Sequence, residues 1–381
     1  MLGYRALRPD IPDRKSGICS GQCMNLGYRE KMNGEHENGN LYAVVMAGGK
    51  GERFWPAGRS SRPKQMLPLT GGKTMIEETV FRLFPLIRPD HVLVITNKLY
   101  VEEIRRVLPI PPENVIGEPE GRNTAPCVAL AAALIRRRAP EDTTMILLPA
   151  DHLIRPPDAF QKTLATAAQE AEKGFLVTLG IQPVFAATGY GYLRLGDAVS
   201  PGFRRVQEFK EKPDAETAER FLKAGSYRWN SGMFLWRADI ISEEFRRHAP
   251  DLGEKLDHWA SGGDFTKDFA ECRKISIDYA IMEKSDRVIA GDAPFEWNDI
   301  GSWNSLRSVL PCDDSGNAVK GNAILTESSG NVVFSDDDTL IGVIGMKDVA
   351  IVKSGNGILV CPLSCEQKVR QLLQNMKDEY K

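Results

Sequence analysis

No uninterrupted apolar run in the 381 residues approaches the roughly 20 needed to span a bilayer, so no membrane partner is expected. Neither sign of charge dominates. The 49 Lys and Arg residues stand against 51 Asp and Glu, a formal net charge of -2, which gives no electrostatic reason to expect nucleic acid or an anionic membrane surface as partner. Any anion site must therefore come from a local cluster. Cysteine is sparse and odd in number: seven residues are scattered along the chain rather than packed into a disulfide framework, which fits a reducing compartment and a cytoplasmic location. Cys19/Cys23 and Cys361/Cys365 share one spacing, but neither has a clear second ligand pair, so structural zinc is not expected. Residues 1–40 hold few large apolar residues and lack the continuous apolar segment of a signal peptide. They read as a disordered leader, with Met32 an alternative start. The rest, in a chain 42% hydrophobic and 26% charged, has the composition of a globular protein with a large core, divided into a main domain over 41–309 and a small one over 310–381.

What is present is concentrated first between Leu41 and Gln65. Leu41 to Met46 is a short Val-rich run that stops at Gly48 and Gly49, as a buried parallel strand does when it feeds a loop. Gly48, Gly49 and Gly51 let backbone amides approach an anion, while Lys50, Arg53, Arg59, Arg62 and Lys64 place five cations within fifteen residues. The combination points to phosphate. Two better-known phosphate loops fail on inspection. A Walker A loop needs Ser or Thr after Gly-Lys, yet Gly51 follows Lys50, and Gly72-Lys73-Thr74 has Leu67 where its leading glycine belongs. A dinucleotide fingerprint needs a third glycine where Phe54 stands. From Leu41 to about Gly180 strand patterns (41–46, 92–96, 144–148, 175–179) alternate with helix patterns (near 75–88, 126–138, 159–173). Such alternation predicts an α/β, Rossmann-like, mostly parallel sheet with helices on both faces and ligands at the carboxyl ends of the strands.

The string G-G-x-G-x-R-F-x-P followed by Pro63-Lys64-Gln65 closely resembles the loop of the sugar-1-phosphate nucleotidyltransferases. Further on comes Glu118-Pro119-Glu120-Gly121-Arg122-Asn123-Thr124-Ala125-Pro126. Helix capping accounts for Asn123 or Thr124 and for Pro126. It does not account for Glu118, whose carboxylate is suited to accept from N1–H and the exocyclic amine of guanine. The same string resembles the version found in mannose-1-phosphate guanylyltransferases, which implies nucleotide-binding roles for Ala47, Gly48, Gly49, Gly51, Glu118, Pro119, Asn123 and Thr124. Asp151, directly after a buried strand pattern, stands where this family places a magnesium ligand. Beside it, His152 reads as structural.

Beyond Gly180 the elements shorten. Thr188-Gly189-Tyr190-Gly191-Tyr192 resembles the family's hexose-facing loop, in Phe209-Lys210-Glu211-Lys212-Pro213 Glu211 and Lys212 suit a hydroxyl and a phosphate, and in Trp229 to Trp236 Asn230 is the candidate sugar contact. Ser276 to Ala280 resembles a further family segment, in which Asp278 is equally a first-turn acid. Trp297-Asn298-Asp299-Ile300-Gly301-Ser302-Trp303 resembles the segment that supplies a second metal-binding aspartate. After about Leu310, short Val/Ile strands ending in a helix near 365–378 resemble the family's β-rich, left-handed β-helix-like tail, which implies a homodimer contact.

The resemblance implies that GTP and mannose 1-phosphate give GDP-mannose and pyrophosphate with Mg2+ as cofactor, Gly189, Tyr190, Glu211, Lys212 and Asn230 holding the sugar phosphate. It also implies catalytic roles for Arg53, Lys64, Asp151 and Asp299, the two aspartates holding the metal. A nucleotidyltransferase for another base or hexose 1-phosphate is the nearest alternative. A non-catalytic nucleotide-sugar sensor, the alternative from another class, tends to lose the loop arginine, the Pro-Lys or the metal aspartates, and all are present here.

Overall fold

The computed structural model describes residues 40–49 and 51–380; the expected leader, Met32, Cys19/Cys23 and Lys50 lie outside these residues. The Val-rich run forms β1 (Leu41–Ala47) in the body of a nine-stranded sheet that also holds β2 (Val92–Asn97), β3 (Val115–Glu118) and β4 (Thr144–Pro149). β5 (Leu153–Arg155) lies apart, and β6 (Leu176–Ile181), β7 (Tyr192–Ser200), β8 (Phe203–Lys210), β9 (Tyr227–Arg237) and β10 (Val288–Asp292) complete the main sheet in the order β3-β2-β1-β4-β9-β6-β10-β8-β7. The pairings give seven strands one direction, with only β8 and β9 opposed, so the expected mostly parallel sheet is present.

Alternation along β1 divides the core. Ala43 and Val45 face a cluster with Ile76, Val80, Phe160 and Leu164 from the helices Met75–Phe81 and Pro157–Glu172. Tyr42 and Val44 face the opposite layer, which contains the Ala-rich helix Thr124–Arg136 and the helices Ala238–His248 and Pro250–Ala260. Side chains of period two on a strand buried on both faces require this two-sided cover. Chain order reverses at β1: β2 and β3 follow on one side, β4 on the other. The carboxyl ends flanking that reversal form the crevice in which such sheets take ligands.

A two-stranded pairing outside the main sheet joins β5 to β11 (Glu296–Asn298), antiparallel with Leu153 opposite Asn298. The tail winds through β12 (Ala318–Lys320), β13 (Asn322–Thr326), β14 (Val332–Ser335), β15 (Leu340–Ile344), β16 (Val349–Ser354) and β17 (Gly357–Pro362). β12, β14 and β16 stack in parallel, as do β13 and β15, while β17 closes the stack antiparallel. Buried Asn317 and Asn331 tie adjacent turns, Asn331 donating to the Asn317 side chain at 2.9 Å. The tail core is continuous with the glycine-rich loop: Val332, Phe334, Ala350 and Val352 share a cluster with Phe54, Trp55, Leu67 and Trp303. Among the described residues no helix is long and apolar enough to cross a membrane.

Candidate active site

A cavity of about 460 Å³ opens outside the carboxyl ends of the strands, and most of the expected site residues line it. Gly48 and Gly49 follow β1, Glu118 ends β3, and Asn123 and Thr124 begin the Ala-rich helix. Gly189, Tyr190, Glu211, Lys212, Asn230 and Asp299 form the other end. Of the remaining candidates, Lys64 and Asp151 stand behind the wall at Asp299, while Arg53, Ala47, Gly51 and Pro119 do not line the cavity.

The glycines act by different means. A Cβ on Gly48 would sit 3.3 Å from Glu118 Oε2, so its bareness lets the loop lie against that carboxylate. Gly51 has φ +68°, and a Cβ there would meet the backbone nitrogen of Lys64 at 2.4 Å. It is therefore the hinge that brings Lys64 under the loop. The Ala47 carbonyl accepts from Gln65 Nε2 at 2.6 Å and from the Thr96 hydroxyl at 3.0 Å, which fixes the strand end. Gln65, part of the quoted Pro-Lys-Gln, does its work there as an internal strut.

Glu118 is only 5% exposed, and its Oε1 has no hydrogen-bond partner among protein groups. Burial pushes its carboxyl up to about 7, with the neighbouring Cys127 thiol acting in the opposite direction. The Cys127 thiol is a weak donor to the carboxylate, and Oε1 is left without one, a costly state for a buried polar atom. Nearby, Asn123 caps the helix by accepting from Thr124 N at 2.8 Å, and Thr124 Oγ1 accepts from Ile277 N at 2.8 Å. Of the two cap candidates it is Asn123 that caps, Pro126 lies in the first turn as expected, and Thr124 ties the helix start to the Asp278 segment.

At the opposite end Glu211 pairs with Lys212, and a Cβ on Gly191 would come within 2.6 Å of Glu211 Oε2. Asn230 is more committed than its sequence suggests: Nδ2 donates to Asp278 Oδ1 at 3.1 Å, while Oδ1 accepts from the Thr178 hydroxyl and Gly232 N. It presents Asp278, whose carboxyl is raised to about 6 by burial and then by Glu211. In the sequence Asp278 reads both as part of a family-like segment and as a first-turn acid, with no site role assigned to it. Its signal was available, since an acid in a segment otherwise apolar on the buried side needs a partner.

The β5/β11 pairing brings the segments of two aspartates far apart in sequence side by side. Leu153 pairs with Asn298, the last pair of the register, so Asp151-His152 and Asp299 flank the same end of the two strands. Lys64 Nζ joins them, donating to Asp151 Oδ2 at 2.7 Å and to the Asp299 backbone carbonyl at 2.6 Å. Burial works to raise the Asp151 carboxyl, but Lys64 and His152 outweigh it and hold it below the usual range. Burial likewise lowers His152 to about 4, so it is neutral at physiological pH, in keeping with a structural role. Arg53 donates to the Gly301 carbonyl at 3.4 Å and bears on the segment after Asp299 rather than on the cavity.

The chain is matched by the family described as Nucleotidyl transferase over residues 42–314, and by the MannoseP isomerase/GMP-like beta-helix domain over 321–376. Among curated relatives it is 38% identical to a mannose-1-phosphate guanylyltransferase of Klebsiella pneumoniae, across 90% of this chain and 76% of that one. It is 37% identical to the protein of the same name from Escherichia coli K12, across 88% and 73%. A crystal structure described as mannose-1-phosphate geranyltransferase from Thermus thermophilus superposes with a TM-score of 0.82 at 35% identity, covering 88% of this chain and 98% of the other. Matched in this way along nearly its whole described length, the chain belongs to the mannose-1-phosphate guanylyltransferase family of nucleotidyl transferases.

Proposed function

We propose that this enzyme transfers the guanylyl group of GTP to mannose 1-phosphate. A phosphate oxygen of the sugar phosphate forms a bond to the α-phosphorus, the bond to the bridging oxygen breaks, and pyrophosphate leaves with the electron pair. The observation that carries the base assignment is the buried Glu118 carboxylate facing the cavity with Oε1 unpaired. Guanine offers two adjacent donors to such a group, and adenine does not. The names of the relatives support mannose 1-phosphate as acceptor.

A sugar phosphate is already ionised near neutrality, so no protein base is required to activate it. The protein positions two polyanions and balances charge. Gly48 and Gly49 offer backbone at the phosphate end, Lys212 offers a cation at the sugar end, and Glu211 and Asp278 offer acceptors to hydroxyls. The residues present suit Mg2+. Asp151 and Asp299 supply hard carboxylate oxygens on segments that Lys64 ties together, through the Asp151 carboxylate and the Asp299 backbone carbonyl. Magnesium characteristically takes one or two carboxylates and completes its sphere with phosphate and water. When bound, the ion neutralises charge on the reacting phosphates. Lys64 keeps Asp151 ionised and anchors the Asp299 backbone.

A second copy of the chain is the proposed partner, on the tail. Ile324, Leu340 and Ile344 are exposed on paired strands β13 and β15 in one alternation phase, and β17 exposes Ile358 and Val360. A cytoplasmic site of action is consistent with free cysteines at Cys127, Cys272, Cys312, Cys361 and Cys365.

The test of the base assignment is kcat/KM for GTP and ATP in wild type and Glu118→Gln. The amide leaves one guanine donor facing an NH2 group, at a cost of about 1–3 kcal/mol, so GTP use falls by about one to two powers of ten and the preference over ATP narrows. An unchanged GTP to ATP ratio moves the reading of the base to other groups.

A further inference from the structure

We infer that Tyr190 is a positioning residue for Asp299, fixing the carboxylate's orientation toward the cation, rather than a reader of the hexose. The inference rests on the proposed function, which assigns the cation to Asp151 and Asp299. Three features of the structure carry it.

The first is a hydrogen bond. Tyr190 OH donates to Asp299 Oδ1 at 2.8 Å, across 109 residues of sequence. A tyrosine has a single hydroxyl proton, and with it engaged the oxygen can only accept. Tyr190 therefore has no donor left for a sugar oxygen, whereas the carboxylate is held by one oxygen. Among the described residues no donor reaches Asp299 Oδ2, the oxygen that remains for a cation.

The second is the rigidity of the ring. Tyr190 stands edge-on to Trp229 at 5.0 Å and to Trp297 at 5.3 Å between ring centroids, with Phe185 tilted against it at 6.4 Å. Three aromatic neighbours on separate segments leave the ring little freedom, so the hydroxyl has one place to be.

The third is connection to the other aspartate. Trp297 lies two residues before Asp299 in β11, and its indole N–H donates to His152 Nδ1 at 3.2 Å, next to Asp151. The Tyr190 ring thus bears on the framework that carries both carboxylates. Hydrogen bonds that orient ligating carboxylates typically cost about 10–100-fold in metal affinity when removed.

The experiment titrates Mn2+ into the full chain without substrates and reads free Mn2+ by its paramagnetic resonance signal, for wild type, Tyr190→Phe and Asp299→Asn. KM for mannose 1-phosphate is then measured at saturating metal, and melting temperature checks that Tyr190→Phe, which removes one oxygen and keeps the ring, is folded. The expected result is about tenfold weaker Mn2+ binding in Tyr190→Phe, with the KM for mannose 1-phosphate changed less than about twofold. Wild-type Mn2+ affinity in a folded Tyr190→Phe overturns the inference while leaving the proposed function intact, and a large rise in that KM alone returns Tyr190 to the sugar. Equal Mn2+ binding by wild type and Asp299→Asn removes the metal assignment itself, and the inference with it.

Discussion

A carboxyl held at about 7 titrates where enzymes work, and Glu118 owes that value to burial. Only its ionised form can accept from both guanine donors. In the free enzyme the carboxyl is protonated below about pH 7, so kcat/KM for GTP is full above that value and falls as pH drops through it. The Glu118→Gln variant lacks this limb, and a pH profile of kcat/KM for both proteins checks the point against titration of the substrates themselves. Stability moves in the corresponding sense. Because the folded pKa lies above the usual 4.5, the native state binds the proton more tightly than the unfolded chain does, and wild-type stability declines between pH 4.5 and about 7. Melting temperatures should show Glu118→Gln gaining on wild type across that window. No gain would mean that the carboxylate is better solvated than its surroundings indicate.

At the scale of elements, the glycine-rich loop depends on close approach of backbone to backbone. Gly51→Ala puts a Cβ 2.4 Å from the Lys64 nitrogen at a φ of +68°. The obstacle is main chain rather than the end of a flexible side chain, so the loop must move. The cost is expected to exceed the roughly 1 kcal/mol of the left-handed conformation alone. Activity should fall more than about tenfold with a lower melting temperature, whereas Gly49→Ala, with nothing within 4 Å of its Cβ, should leave melting unchanged.

Local elements of this kind were largely legible in the sequence, because period-two runs ending in glycine and an Ala-rich helix after a capping Asn are short-range signals. The helix expected near 75–88 ends earlier, at Phe81. Pro85 lacks an amide to bond the Phe81 carbonyl and disfavours helical backbone at Phe84. The helix expected near 365–378 is likewise shorter, a 3-10 segment Leu363–Lys368 followed by Val369–Gln374. The short helix Val101–Val107 was not anticipated. The β5/β11 pairing and the insertion of antiparallel β9 between β4 and β6 were hidden, since three-residue strands carry no pattern and pairing partners lie far apart. Those hidden pairings are what turn the separate motifs at Asp151, Asn230 and Asp299 into one site. The commitment of Tyr190 to Asp299 was invisible for the same reason.

Across the whole molecule, the tail and the loop are not independent. Trp55 Nε1 donates to the Tyr380 carbonyl at 2.8 Å, Arg59 to the Ser354 carbonyl at 3.1 Å, and Arg62 pairs with Asp336 at 2.8 Å. The tail braces the glycine-rich loop and exposes apolar residues on β13, β15 and β17, and the proposed second copy would dock on these. Ile344, 75% exposed on β15, is the residue to change. If the proposed dimer forms, wild type should run at twice the chain mass by light scattering after gel filtration and Ile344→Glu at the monomer mass, with a melting temperature lowered by no more than a few degrees; a monomeric wild type would remove the proposed contact, and a dimeric variant would place it elsewhere.

The claim that joins residue, element and molecule is that one cavity reads guanine at Glu118 and delivers its nucleotide to a hexose phosphate beside Asp299. It is tested most directly by pyrophosphate release from each of the four common nucleoside triphosphates paired with each of mannose, glucose and galactose 1-phosphate, in Mg2+ and in EDTA. GTP with mannose 1-phosphate should be the fastest pair by at least about tenfold, and EDTA should abolish its turnover. A faster reaction with another base or hexose, turnover that survives EDTA, or no pyrophosphate from any pair would contradict it.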